Sequence, residues 1–302
     1  MTGLAYHLVD VFTDRRFSGN PLAIVEGADR LSAEAMRAVA REFNLSETVF
    51  LCEPRDPVHS ARLRIFTPER ELPFAGHPTI GTAALLAETR AGDALARHGV
   101  VVALEADVGL LRCEALRGRS GVAYAECALP MTPRQAGPAP TAAALAAALS
   151  LKPADIGFDA HVPSAFAAGP AFVFAPIGSR AALDRARRAP AAFAAALGDA
   201  AGVFLYTRET VDPAAAVHAR MLAQGLGFEE DPATGSAAAA FAAVALAFER
   251  PRDGEHEVFI EQGYAMGRPS RITLRMRVEN GALAGVAIGG QVMRVGEGRL
   301  RL

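Results

Sequence analysis

Two short stretches of the sequence carry residues suited to holding an anion, and a third carries one suited to moving a proton. His77–Ala84 reads HPTIGTAA and Asp231–Ala238 reads DPATGSAA, 154 residues apart (231 − 77). Each is a polar residue, a proline, two further residues, a glycine, a hydroxyl and then alanines. Proline is favoured in the first turn of a helix, where its missing N–H is not needed, and Asp231 ahead of Pro232 has the character of an N-cap. The glycine and the hydroxyl residue, Gly235 and Ser236 in the second copy, then fall in the first turn. Free backbone N–H groups and the helix dipole favour an anion there. The spacing predicts two carboxylate clamps. Glu47, in NLSETVFL just ahead of a strand leading to the first clamp, is the candidate acid/base, and Ala201 stands at the corresponding place 154 residues on. The plainer alternatives are a surface strand glutamate for Glu47 and simple helix caps for His77 and Asp231.

The elements that must position these groups are legible in outline. LAYHLVDVF, NPLAIV, ETVFLCE and ARLRIFTP have strand character, and SAEAMRAVAREF reads as a helix with Ser32 as its N-cap. GVVVALEADVGLLRCEAL and GVAYAECALP form a meander broken at Asp107 to Gly109 and at RGRSG. A Pro- and Ala-rich stretch from Met131 marks a linker and then a helix. Strands return at AFVFAPI and GVFLYT, with helical segments between them. The tail from His256 is mostly alternating strands with glycine turns. VFL at Val49–Leu51 recurs at Val203–Leu205, and Phe74 and Phe228 keep the same 154-residue offset. Matches in order at one spacing predict two similar lobes. The helices ATGSAAAAFAAVALAFE and PTIGTAALLAET are apolar nearly all round, so each is expected to be buried with only its start open.

Composition narrows the function classes. The chain has 302 residues, 51% of them hydrophobic, and a net charge of −2, so it can bury a full core and carries no basic excess for nucleic acid or an anionic membrane. A small-molecule partner is expected. Cys52, Cys113 and Cys127 lack zinc-site spacing and read as small strand hydrophobes. The first residues show no basic and apolar signal pattern, and no apolar run is long enough for a bilayer, which makes the cytoplasm the expected location.

Several longer motifs, DVFTDRRFSGNPLAIV, NLSETVFL, RIFTPERELPFAGHPTIGTA, EEDPATGSAAAAFAA, IEQGYAMGRPSRI and GGQVMRVGEGRL, together resemble the PhzF-like isomerases, within the wider group with the diaminopimelate epimerase fold. The resemblance spans essentially the whole chain. It implies an α+β fold of two similar lobes, each a mostly antiparallel sheet around a central helix, with the active site between them. The lobes would cover residues 1–130 and 131–284, with strands from about 285 to 302 returning to the first. Carried over, Glu47 is the general acid/base, and Gly76, His77, Asp231 and Ser236 hold and polarise the substrate, with Thr79 and Gly235 beside them. The family's reaction isomerises trans-2,3-dihydro-3-hydroxyanthranilate by moving a proton between carbons, and it implies a homodimer without cofactor or metal.

A single carboxyl suffices for such a shift, and enclosure is expected to raise its pKa. An ionised Asp231 nearby would raise it further, and a charged His77 would oppose this. Related racemases use two opposed thiols, which neither octet supplies. A non-catalytic metabolite-binding or protein-interaction member of the fold is the principal alternative. Leu222 and Gln224 stand where many relatives have Phe and Pro, which puts the pocket wall in question.

Overall fold

Alternation in LAYHLVDV and the apolar run in NPLAIV fold as a hairpin, β1 (Leu4–Val11) paired antiparallel with β2 (Asn20–Val25). The computed structural model describes residues 3–118 and 121–301, so Arg119 and Ser120 of the turn read at RGRSG lie outside the described residues. The chain divides into two units, Met1–Pro130 with Gly289–Leu302, and Met131–Ile288.

In the first unit, α1 (Ala33–Phe43) follows the hairpin, and Ser32 caps it by accepting from the Ala35 N–H. Next come β3 (Thr48–Cys52), β4 (Ala61–Phe66), the two-residue β5 (Glu71–Leu72) and the long α2 (Gly76–Arg97). The meander β6 (Val100–Ala106), β7 (Gly109–Arg117) and β8 (Ala123–Ala128) completes it. β2 runs parallel to β3, β3 antiparallel to β4, β4 parallel to β6 and β6 antiparallel to β7. Every residue of α2 from His77 to Ala87 is buried, which is how a helix without a polar face escapes water. Met36, Val39 and Ala40 of α1 cover the other side of the sheet, against Phe50, Cys52 and Phe66.

The second unit repeats the plan. It contains β9 (Arg134–Gln135), α3 (Ala142–Leu149), β10 (Ser164–Ala167), β11 (Ala171–Pro176), α4 (Arg180–Arg185), α5 (Pro190–Leu197), β12 (Gly202–Thr207), β13 (Val217–Ala223), β14 (Glu230–Asp231), α6 (Gly235–Glu249), β15 (Gly254–Gln262) and β16 (Ser270–Glu279). β17 (Ala282–Leu300) begins here, and from Gly289 onward it belongs to the first unit, where it pairs with β1. From β10 to β16 the pairings are again antiparallel, parallel, antiparallel, parallel, antiparallel. Phe241 of α6 packs among Phe174, Phe204 and Tyr206. On the other face, α3, α4 and α5 cover Val173, Val203, Leu205 and Leu222.

The repeat is therefore present, but its register corrects the uniform 154-residue offset. Phe50 faces α1, whereas Phe204 faces the central helix α6. Equating them would turn every side chain of the strand to the wrong face. Phe50 pairs with Arg64 and Leu205 with Arg220. Each arginine then grips a glutamate of the following short strand with two hydrogen bonds, Arg64 on Glu71 and Arg220 on Glu230. These arginines stand 156 residues apart (220 − 64). The loop from Leu222 to Glu230 spans three residues more than that from Phe66 to Glu71, so from there the offset is 159, and Gly76 and Gly235 open the two central helices. His77 thus corresponds to Ser236, and Leu72 to Asp231. Phe74 and Phe228 are not counterparts.

A second shared device holds the loop between the middle strands. The Glu105 carboxylate accepts from the Arg55 and Asp56 backbone N–H groups and bonds His59 Nδ1 at 2.9 Å. Glu261, 156 residues on (261 − 105), accepts from the Val211 and Asp212 N–H groups and bonds His218 Nδ1 at 2.6 Å.

Candidate active site

The first helix start is assembled from three segments. The FSGN turn delivers Asn20 to the beginning of β2. Gly19 is at φ +66, and a Cβ there would stand 2.3 Å from the Val11 carbonyl oxygen, so only glycine fits. The Asp10 carboxylate ties the same turn by accepting from the Phe17 N–H at 2.6 Å. Asn20, wholly buried, donates from Nδ2 to His77 Nδ1 at 3.2 Å. That leaves the ring proton on Nε2, which lies 3.5 Å from Glu47 Oε2. Burial pushes the His77 pKa down to about 3, so its imidazole is neutral across the physiological range. A charged His77 opposing a raised Glu47 pKa does not arise. The Glu47 side chain keeps 12% of its surface exposed, a narrow opening for a reactant.

His77 occupies the first turn of α2 itself. The cap position belongs to Ala75, whose side chain makes no capping bond. The Gly76 and His77 N–H groups are among the orphan donors of that turn, and Pro78 brings none. Thr79 is buried, and its hydroxyl donates back to the Ala75 carbonyl at 2.8 Å, so it fastens the helix start.

The second helix start is built differently, and the expectation that Asp231 caps it is corrected. Asp231 lies in β14, paired with Met221, and Thr234 stands at the cap position. The Thr234 hydroxyl donates to Asp231 Oδ2 at 2.6 Å. Pro232 consequently precedes the helix. Gln262 fixes this turn from β15: its Oε1 accepts from the Thr234 N–H at 3.1 Å and its Nε2 donates to the Asp231 carbonyl at 2.7 Å. The Ser270 hydroxyl donates to the Pro232 carbonyl at 3.1 Å. Behind the turn, Arg220 holds Glu230 and so the strand bearing Asp231. The Gly235 and Ser236 N–H groups are left at the helix start, Ser236 partly exposed.

Sequence reasoning missed Asn20 and Gln262 as members of these constellations. The turn chemistry of FSGN was visible, but the Asn20–His77 contact spans 57 residues. Leu222, questioned as a pocket wall, packs into the core beneath α3, α4 and α5, and the Gln224 amide donates to the Gly198 and Ala200 carbonyls. No cysteine serves either helix start. Cys52 lies in the core with Phe50, and Cys113 faces Cys127 across β7 and β8. Among the described residues, no helix is long and apolar enough to cross a membrane.

Comparison with known proteins bears on the fold and the family. A protein of Mesorhizobium japonicum described as an uncharacterized isomerase is 45% identical over 300 residues, covering 98% of each chain. The trans-2,3-dihydro-3-hydroxyanthranilate isomerase of Pseudomonas aeruginosa is 34% identical over 307 residues, covering 98% of this chain and 99% of its own. The crystal structure of a phenazine biosynthesis protein of the PhzF family from Bacillus anthracis superposes with a TM-score of 0.88 at 25% identity, covering all of both chains. A hydroxyproline epimerase from Agrobacterium vitis shares the fold at 14% identity, with a TM-score of 0.65 and coverage of 99% of this chain and 91% of its own. Residues 9–298 match the family described as phenazine biosynthesis-like protein, PhzC-PhzF, and the chain belongs to that family.

Proposed function

We propose that the chain is a cofactor-independent isomerase that moves a proton between carbons of a small cyclic or unsaturated carboxylate, with Glu47 as its acid/base. The observation that carries this reading is the approach of the Glu47 carboxyl to 3.5 Å from Nε2 of a neutral, tautomer-fixed His77. As a carboxylate, Glu47 takes a proton from an activated carbon while the electron pair passes into the conjugated system. The same carboxyl, now protonated, returns the proton to another carbon. The His77 N–H steadies the carboxylate between the two steps without supplying a charge that would hold it deprotonated. Within the first unit the backbone N–H groups of Gly76 and His77, beside Glu47, are the proposed binders of an anionic group, and within the second those of Gly235 and Ser236 are, with Asp231 as an acceptor. The full-length likeness to a trans-2,3-dihydro-3-hydroxyanthranilate isomerase supports the substrate class. A homodimer in the cytoplasm belongs to the same proposal, and light scattering across concentrations tests the assembly.

The test of the chemistry is incubation with trans-2,3-dihydro-3-hydroxyanthranilate in D2O, followed by NMR, for the wild type and Glu47→Gln. Turnover by the wild type and a loss of about 10²–10⁴-fold in the variant is the expected result. Equal turnover by both refutes the role of Glu47, and no turnover by either refutes this substrate.

A further inference from the structure

The second unit holds a cavity of about 1040 Å³ away from its helix start. His218, Arg220 and Leu222 alternate along β13 and share one face, and Leu222 fixes that face as the one covered by α3, α4 and α5. All three line the cavity, and α6 lies on the opposite side of the strand.

Three features of its wall point to a ligand. Two of its arginines are neutralised, Arg188 by Glu229 and Arg220 by Glu230. The other two are not: Arg187 donates to the Asp184 and Ala186 backbone carbonyls, Arg180 meets the Glu209 carboxylate through its backbone N–H alone, and neither guanidinium is ion-paired among the described residues. Against these two cations the cavity sets one further acid, Asp184, so the wall favours an anion. The second feature is apolar. Val211 and Met266, 49% and 39% exposed, line the cavity beside Tyr264 and give it an apolar wall.

The third is His218. Its side chain is 98% buried, its Nδ1 is committed to Glu261, and its Nε2 has no hydrogen-bond partner. The first unit supplies an internal control, since His59 makes the same bond to Glu105 yet keeps 19% of its side chain exposed to water. Holding the loop accounts for Nδ1 in both copies. It leaves the buried Nε2 of the second copy unexplained, and a buried polar atom without a partner is rare enough to need a reason.

We infer that this cavity is a second binding site, for a small organic anion with an apolar body and a hydroxyl or amino group that donates to His218 Nε2, its anionic group resting on Arg187 and Arg180. The ligand is recognised by three separable contacts, so three probes resolve them. The full-length protein is titrated with 3-hydroxybenzoate, with benzoate, which lacks the hydroxyl, and with 3-hydroxybenzyl alcohol, which lacks the carboxylate. The Met266 methyl, the Tyr264 ring and the ¹⁵N signals of His218 are followed by NMR. The expected result is saturable shifts with 3-hydroxybenzoate at all three residues and binding about tenfold weaker for each of the other probes. Arg187→Ala and Arg180→Ala should remove the advantage of the carboxylate, with circular dichroism separating lost binding from lost folding. Ala265→Trp, which fills the cavity and removes no charge, should abolish the shifts. Absence of saturable shifts, equal binding of the three probes, unaltered affinity in both arginine variants, or shifts confined to His77 overturns the proposal.

Discussion

Lowering the pH asks His77 directly whether it stays neutral. In the folded protein its pKa is pushed down to about 3 by burial, against 6.5 for the free side chain. Between those values the unfolded chain binds a proton at this residue and the folded chain does not. The stability this residue contributes is therefore complete above 6.5 and falls as the pH drops toward 3. The slope approaches about 1.4 kcal/mol per pH unit, so at pH 4.5 roughly 2.7 kcal/mol has been lost through this one ring. Other histidines and carboxylates titrate in the same range, so the measurement is a difference. Urea unfolding of the wild type and of His77→Asn, whose side-chain oxygen can still accept from Asn20, is followed at half-unit steps from pH 4 to 8. The gap between the two should shrink with the calculated slope below pH 6, while the His77 ring ¹⁵N signals stay those of the Nε2–H tautomer. A flat difference, or a ring that titrates near 6, refutes the argument.

The remaining predictions read the supports of the site. Arg220→Met leaves the Glu230 carboxylate without its buried partner and takes one donor each from the Leu183, Asp184 and Ala186 carbonyls, and should cost about 3–5 kcal/mol in urea unfolding, whereas Arg64→Met, at a side chain 24% exposed and ion-paired with Glu71, should lose about 1 kcal/mol or less. Equal losses would contradict the burial argument. Asn20→Ala removes the donor to His77 Nδ1; it should mix the ring tautomers by NMR and lower kcat with little change in KM, and an unmixed tautomer would end that reasoning. Phe241→Ala empties the aromatic cluster of Phe174, Phe204 and Tyr206 and should lower stability by about 3–5 kcal/mol, read by thermal unfolding.

What could be read from the sequence was whatever local chemistry encodes. NPLAIV, ETVFLCE and ARLRIFTP fold as strands where their apolar patterns put them, and Ser32 caps its helix. The meander breaks at Asp107 to Gly109 as expected. Glu47 and His77 were legible because turn and helix-start signals surround them. The repeat was legible as a plan and misread in register. The octets look alike because both are rich in alanine, glycine and proline. Structural equivalence follows hydrogen-bonded pairing instead, which slips by one residue at VFL, by another before the following strand, and by three more at the longer loop before Glu230. Asp231 consequently supports a turn and does not cap a helix. Asn20 and Gln262 escaped notice because their contacts join segments far apart in the chain, and nothing near them in sequence records the distant partner. The two-residue strands β5, β9 and β14 have no periodicity to detect.

The course of β17 bears on how the polypeptide is made. The first unit's strand β1 leaves the ribosome well before its neighbour, which runs from Leu300 back to Val292. The intervening residues 131–288 are continuous and can close their own sheet first. Domains generally fold as units during synthesis, N-terminal ones first, and pairings distant along the chain form slowly. Here the order is inverted: the first unit waits, one edge of β1 unsealed, until residues beyond the second unit are translated. A stop falling between Ile288 and Val292 would release a completed second unit joined to a first whose β1 lacks its β17 neighbour, an exposed edge of the kind that recruits other chains.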